Sequence, residues 1–205
     1  MLVLASTSPY RAELLNRLGL AFTRENPEVD ETPLPGELPT DLAARLALAK
    51  ALAVKVALNQ TASASDNTGR LIIGSDQVAT LDGLSPLGKP GNHARAVDQL
   101  RAQSGRKVAF HTALSVVRAD TEQAWSDLVT TEVSFRTLTD QQIERYLLAE
   151  TPYDCAGSAK SEGLGVALLK AVEGPDATAL IGLPLIALCS ILEQAGCPPL
   201  ASDGC

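Results

Sequence analysis

The first eleven residues constrain the fold most, because a short apolar run passes directly into a polar helix start. The run over residues 2–5 predicts a short buried strand, and the leucine spacing within residues 14–18 predicts one face of a helix. Between them, Ser8 precedes Pro9. A serine oxygen can cap a free backbone N–H, and proline suits the first helical position. The chain is therefore expected to open with a strand, a polar turn and a helix.

This helix start carries a cation where an acidic or amide side chain is usual. Arg11 stands three residues after Ser8, the position that holds Glu or Gln in a capping box. Because the positive end of the helix dipole repels a cation, we expect an anion from outside the chain to bind here. Two interpretations stay open: a phosphate held by Ser6, Ser8 and Arg11, or a capped helix with a solvated arginine.

The rest of the chain mixes strand and helix patterns in irregular alternation. Helices are expected over residues 40–58, 91–105, 139–149 and 184–195. Strands are expected over residues 20–26, 70–83, 107–120 and 128–138 and, interrupted by glycines, within 155–173. This order indicates an α/β (mixed α+β) fold, with a single extended mixed sheet flanked by helices and two lobes around a central cleft.

The domain organisation is expected to be simple. With 205 residues, 45% of them hydrophobic, the chain can bury a sizeable core, and we expect one domain over residues 1–200 followed by a polar tail over 201–205. Residues 59–69 are small and polar, which predicts a flexible loop insertion.

Charge and hydropathy argue against two classes of partner. Lys and Arg total 17 against 24 Asp and Glu, a net charge of −7, which disfavours a nucleic-acid-binding surface. No stretch approaches the roughly 20 apolar residues of a membrane span. Met1 also runs into the first strand without a basic leader. We therefore expect a cytoplasmic protein that binds neither nucleic acid nor membrane.

Three charged residues are candidates for chemistry. Asp76 follows a buried run that contains Gly74, so it is a candidate general base or metal ligand, although a turn-forming aspartate is the commoner case. Lys50 lies one turn after Leu46, near the apolar edge of its helix, where an ammonium needs a partner or must extend to solvent. Lys89, on a loop between glycine and proline, could meet a phosphate or simply be solvated.

Further charged groups lie in two loops. Asp154, Lys160 and Glu162 stand among glycines within residues 153–165, which suits a flat ligand lying near the backbone but equally an exposed hairpin. Glu31, in an acidic loop, is a possible oxygen ligand for a hard cation. A zinc site is disfavoured because neither of the two histidines has metal-ligand spacing, and no G-x-S-x-G elbow points to a serine hydrolase.

Taken together, these segments resemble the Maf-type nucleotide pyrophosphatases, and in detail their 7-methyl-GTP branch. The resemblance is carried, in chain order from residue 2 to about 200, by LASTSPYR, PEVDETP, GSDQV, GKP, CAGSAKSEG and GLPLIAL. It implies a Maf/ITPase-like fold, often a homodimer. The implied enzyme hydrolyses the α–β phosphate bond of 7-methyl-GTP to 7-methyl-GMP and diphosphate, and so removes modified nucleotides.

The resemblance also assigns roles to residues. Asp76 is implied to be the proton acceptor that activates water, beside a divalent cation such as Mg²⁺ or Mn²⁺, for which we take Glu31 and Asp76 as ligands. The positions implied to bind the phosphate chain are Ser6, Ser8, Arg11, Lys50 and Lys89. Those implied in base selection are Tyr10, Gln77 and Glu162, and we add Lys160, from the same glycine-rich segment as Glu162, to the substrate-binding set.

The base-selecting positions agree with the chemistry of a methylated guanine. Because 7-methylguanine is positively charged, a tyrosine face and a carboxylate suit it. The nearer alternative is a dTTP/UTP pyrophosphatase, but that branch typically carries Arg, Thr and Gln at the positions of Tyr10, Gln77 and Glu162, so these residues argue against it. A non-catalytic nucleotide-binding regulator of cell division is the other. One departure is Ala12, where the family often has a second arginine.

Overall fold

The computed structural model describes residues 1–61 and 67–201, built on one seven-stranded mixed sheet. Its strands are β1 (Leu2–Ala5), β2 (Phe22–Glu25), β3 (Leu71–Thr80), β4 (Pro86–Leu87), β5 (Lys107–Arg118), β6 (Ala124–Phe135) and β7 (Leu169–Glu173). The order across the sheet is β2-β1-β3-β5-β6-β7, with β4 paired to β3. β1 runs parallel to β2 and β3, whereas the other pairs are antiparallel. The predicted mixed sheet is confirmed.

Within the described residues, five α-helices flank the sheet. They are α1 (Pro9–Asn16), α2 (Pro39–Thr61), α3 (His93–Gln103), α4 (Asp140–Glu150) and α5 (Leu185–Gln194). Side chains of β3 alternate between its faces. Ile72 and Val78 pack with residues of α2, whereas Leu71 and Ile73 pack with residues of α1 and α5. A separate core around α3 and α4 surrounds the carboxyl end of β3. Apolar clusters therefore lie at both ends of this strand, which agrees with the expected two lobes.

Several segments differ from the sequence-based expectation: β4 was not predicted, and β6 begins and ends before the strand predicted over 128–138. Between residues 155 and 173 only β7 is a strand, because the glycines form tight 3-10 turns: Gly157 has a φ of 68°, and a Cβ on Gly165 would lie 2.3 Å from the Lys160 carbonyl oxygen. Helix α2 extends through Thr61 into the predicted insertion. Asn67 is buried and donates hydrogen bonds to Leu58 O (3.1 Å) and Asn59 Oδ1 (3.0 Å), so the end of the insertion is anchored on α2. Residues 62–66 and 202–205 lie outside the described part.

Gly74 allows α2 to lie directly against β3. A Cβ at this position would lie 2.2 Å from the carbonyl oxygen of Ala47 and 2.8 Å from the amide nitrogen of Ala51. Both atoms belong to the backbone of α2, so no side-chain rotation would relieve the contact. This close approach places Lys50, on the same turn of α2, beside Asp76 on β3.

Over residues 1–61 and 67–201, none of the helices has the length and apolarity needed to cross a bilayer.

Candidate active site

The candidate site is a cleft at the carboxyl end of β1, where β3 continues beyond β1 while it stays paired to β5. The last paired residues of these strands are Leu4 and Ile73, so Asp76 stands three residues beyond the end of the pairing. The cleft has a volume of about 760 Å³. Among the predicted site residues, its lining includes Ser6, Ser8, Tyr10, Arg11, Glu31, Lys50, Asp76, Gln77, Lys89 and Glu162. Lys160 is not in the lining.

At the base of the cleft, two carboxylates converge on one ammonium. Lys50 Nζ lies 2.6 Å from Asp76 Oδ1 and 2.5 Å from Glu31 Oε1. Lys50 and Asp76 are only 5% and 7% exposed, whereas the Glu31 side chain is half-exposed. The sequence left Lys50 either a partner or an extension to solvent, and the structure gives it two partners, one of which is the candidate base.

Burial and the neighbouring charges act in opposite directions on the pKa values of Asp76 and Glu31. Burial raises the pKa of Asp76, although the charges of Lys50 and Arg11 act to lower it. For Glu31 burial also acts to raise the pKa, but its hydrogen bond with Lys50 and the nearby positive charges of Lys50, Lys89 and Arg11 outweigh burial and leave the pKa below its ordinary value. Asp76 is therefore the better proton acceptor of the pair, since a general base needs a pKa closer to neutrality.

Helix α1 begins at the cleft and presents hydroxyl groups there. Ser8 caps the helix as predicted, with Oγ accepting a hydrogen bond from Arg11 N (3.4 Å). Ser6 Oγ accepts from Ser8 N (3.1 Å) and from Arg11 Nη1 (3.5 Å). Both hydroxyl groups accept in these bonds, so each keeps its own proton to donate to an anion.

Arg11 is held by the backbone of a distant loop. Its Nε donates to the carbonyl oxygen of Gly182 (2.8 Å), which also accepts from Ser75 Oγ (2.9 Å). Burial lowers the pKa of the Arg11 guanidinium, with the charges of Asp76 and Glu31 acting to raise it. Gly182 has a φ of 123°, and a Cβ there would lie 3.4 Å from Arg11 Nε, so glycine suits this position.

The same loop holds Gln77. Its Nε2 lies within 3.0 Å of three acceptors: Thr112 Oγ1 and the carbonyl oxygens of Ala179 and Leu180. Because an amide NH₂ has two protons, it is fully used by the protein, and only Oε1 of Gln77 can meet a ligand. Gln77 can therefore accept a hydrogen bond from a base but has no proton left to donate to one.

Sequence reasoning missed the loop over residues 176–183. Asp176 is buried and accepts hydrogen bonds from Thr178 N (2.9 Å) and Ile186 N (2.7 Å), which fixes the loop to the start of α5. Asp176 and Thr178 before a predicted helix could have indicated a local turn. No sequence signal shows, however, that backbone carbonyls of this loop meet Arg11 and Gln77.

The base-selecting candidates Tyr10, Gln77 and Glu162 all belong to the lining of the cleft. Tyr10 and the exposed Glu162 line it, and Ser161 Oγ donates to Glu162 Oε2 (3.3 Å). Lys160 Nζ lies 5.4 Å from the centre of the Tyr10 ring and 3.0 Å from Glu150 Oε1. Lys160 thus contacts a lining residue rather than the cleft itself.

The donor set suits a hard divalent cation. Glu31 and Asp76 each place one oxygen on the same ammonium, so the two carboxylates already converge on a positive charge. Mg²⁺ is usually held by one or two carboxylates together with substrate phosphates rather than by an all-protein cage. The described residues contain no group of three or more His, Cys, Asp or Glu side chains that could hold a metal ion by themselves.

Comparisons with known proteins identify the family of the chain. The model of the family described as "Maf-like protein" matches residues 1–195. A 7-methyl-GTP pyrophosphatase of Polaromonas sp. is 57% identical over 203 residues, covering 99% of this chain and 88% of the relative. One of Burkholderia thailandensis is 56% identical over 208 residues, covering 99% and 94%.

Among solved structures, a HAM1 protein from Coxiella burnetii covers 65% of this chain and 72% of its own, with a TM-score of 0.43 and 18% identity. The family assignment depends instead on the family model, which spans nearly the whole chain, and on the relatives that share more than half of its residues. With the motif residues gathered around one cleft, the chain belongs to the Maf-like protein family.

Proposed function

We propose that this protein is a nucleotide pyrophosphatase that hydrolyses 7-methyl-GTP to 7-methyl-GMP and diphosphate. The observation that carries the proposal is a buried aspartate, Asp76, in a cleft that also holds Arg11, Lys50 and Lys89. The relatives at 56–57% identity are named for this reaction. The base-selecting residues favour hydrolysis of 7-methyl-GTP over hydrolysis of dTTP or UTP; they are Tyr10, Gln77 and Glu162.

The chemistry follows from the charges in the cleft. A triphosphate repels an incoming nucleophile, so its charge must be neutralised before water can attack. Arg11, Lys50 and Lys89 supply positive charge, and the Ser6 and Ser8 hydroxyl protons can donate to phosphate oxygens. Water then attacks the α-phosphorus, its proton passes to an Asp76 oxygen, and the bond from the α-phosphorus to the bridging oxygen breaks to release diphosphate.

A divalent cation, Mg²⁺ or Mn²⁺, belongs to the proposal. Glu31 and Asp76 would hold it, and it would supply further neutralisation of the phosphates. Lys50 now bridges these two carboxylates. Because an ammonium and a metal ion seek the same oxygens, Lys50 is free to turn toward a phosphate once the carboxylates have another cation.

A substrate panel tests the proposed function. With Mn²⁺ present, we expect kcat/KM for 7-methyl-GTP to exceed that for GTP by about tenfold or more, with dTTP and UTP lower still. Released diphosphate is the measurement. Preference for dTTP or UTP would instead support the alternative branch, and binding of nucleotide without diphosphate release would support a regulator.

Removing the cation tests the metal separately. We expect EDTA to lower turnover about a hundredfold or more, and Mn²⁺ or Mg²⁺ to restore it. The Glu31→Gln variant should need a higher Mn²⁺ concentration for half-maximal activity, because one carboxylate ligand is lost. Full activity of the EDTA-treated, dialysed protein would refute the cation requirement.

A further inference from the structure

A positive charge lies against the aromatic ring at which a cationic base is expected. Lys160 Nζ is 5.4 Å from the centre of the Tyr10 ring, within the distance of a cation–π contact. Tyr10 lines the cleft and Lys160 does not. Lys160 also forms a side-chain hydrogen bond with Tyr10, so we expect its charge to act on the site through that residue.

This arrangement is unfavourable for a methylated guanine unless something offsets it. The proposed substrate has a positively charged base, and an uncompensated ammonium on the Tyr10 ring would repel it across the site. A neutral guanine would feel little of this repulsion. Lys160 alone would therefore select against 7-methyl-GTP.

Glu150, at the end of α4, supplies the compensating charge. Its Oε1 lies 3.0 Å from Lys160 Nζ, and its Oε2 accepts a hydrogen bond from Leu164 N (2.7 Å). The Glu150 and Lys160 side chains are 15% and 25% exposed, so solvent screens the pair only in part. The two bonds fix both oxygens of the carboxylate.

The loop around Lys160 is shaped to receive this carboxylate. A Cβ on Gly163 would lie 2.7–2.9 Å from the carboxyl atoms of Glu150, so any other residue there would displace the carboxylate from this position. One turn before Glu150 on α4, Tyr146 Oη accepts a hydrogen bond from Lys160 N (3.0 Å). Helix α4 thus holds both the backbone and the ammonium of Lys160.

We propose that Glu150 is a positioning residue for base selectivity: it holds Lys160 over the Tyr10 ring and neutralises it, so that the ring can accept a positively charged base. This inference rests on the proposed function, because it assigns a residue to the preference for the methylated substrate. Glu150 and Lys160 would act on the base through Tyr10, without contacting the nucleotide themselves.

Three variants test the charge balance. Glu150→Gln keeps an oxygen to accept from Leu164 N but removes the charge, so the ratio of kcat/KM for 7-methyl-GTP to that for GTP should fall about threefold to tenfold. Lys160→Met leaves Glu150 uncompensated, so the same ratio should rise. The double variant should return to within about twofold of the wild-type ratio, since the two charges cancel.

The change should lie in KM for the methylated substrate, with kcat for both substrates unchanged, because neither residue contacts the phosphates or Asp76. Calorimetric titration with 7-methyl-GMP and GMP should show the same shift in relative affinity. As a control, Glu144→Gln removes a charge from the same helix, at a residue paired with His93, and should leave the ratio as in wild type.

General loosening of the loop would not lower the ratio of the two kcat/KM values in Glu150→Gln and raise it in Lys160→Met. A ratio in Glu150→Gln equal to that of wild type, or an equal loss of kcat for both substrates, would overturn the inference while leaving the proposed function intact. A wild-type protein with no preference for 7-methyl-GTP would overturn both.

Discussion

Replacing Asp76 with asparagine is expected to lower kcat/KM for 7-methyl-GTP about a thousandfold. Asparagine has the same shape but cannot take the proton from water. The Lys50 ammonium would keep Glu31 as a partner, so the variant should remain folded. Diphosphate release and circular dichroism are the two measurements.

The matched control is Asp98→Asn, which makes the same chemical change at an exposed residue of α3. It should retain wild-type turnover. If Asp76→Asn kept more than about a tenth of the activity, Asp76 would not be the base, since loss of general-base catalysis costs more than that.

The second large effect is expected on stability. Gly74→Ala places a Cβ 2.2 Å from the Ala47 carbonyl oxygen and 2.8 Å from the Ala51 amide nitrogen. One backbone must move, so we expect the free energy of unfolding to fall by about 3 kcal/mol or more, measured by urea denaturation. Activity should fall as well, because a displaced α2 separates Lys50 from Asp76.

Gly88→Ala is the matched control for this change. An added Cβ at Gly88 meets no atom within 4 Å, and its φ is not in the left-handed region. The free energy of unfolding should stay within about 0.5 kcal/mol of wild type. If Gly74→Ala were equally neutral, the close packing of α2 on β3 would not contribute to stability.

Local signals predicted much of the fold. The start of α1 was readable because its cap, Ser8, and its first residue, Pro9, act within a few positions of one another. Strands β5 and β6 were readable from their residue patterns, although β6 begins at Ala124, before the predicted strand over 128–138. Strands were predicted within residues 155–173 because the apolar pattern there is typical of strands. Only the three-dimensional contacts of the glycines show that the chain forms turns instead.

The sequence predicted which residues form the candidate site better than it predicted the contacts between them. Side-chain chemistry singled out Asp76, Lys50 and Arg11, and the structure brings all three to one cleft. The pairing of Lys50 with Asp76 crosses from a helix to a strand, so no local pattern encodes it. The contact between Glu150 and Lys160 depends on how a turn folds back on α4, which the sequence alone does not reveal.

The loop that steadies Arg11 and Gln77 does so with main-chain oxygens, those of Ala179, Leu180 and Gly182. Main-chain atoms are common to all amino acids, so the bonds from Ala179 and Leu180 do not depend on the side chains at those two positions. These two residues can vary in evolution while Gln77 keeps its acceptors, provided that Asp176, Thr178 and Gly182 maintain the path of the loop.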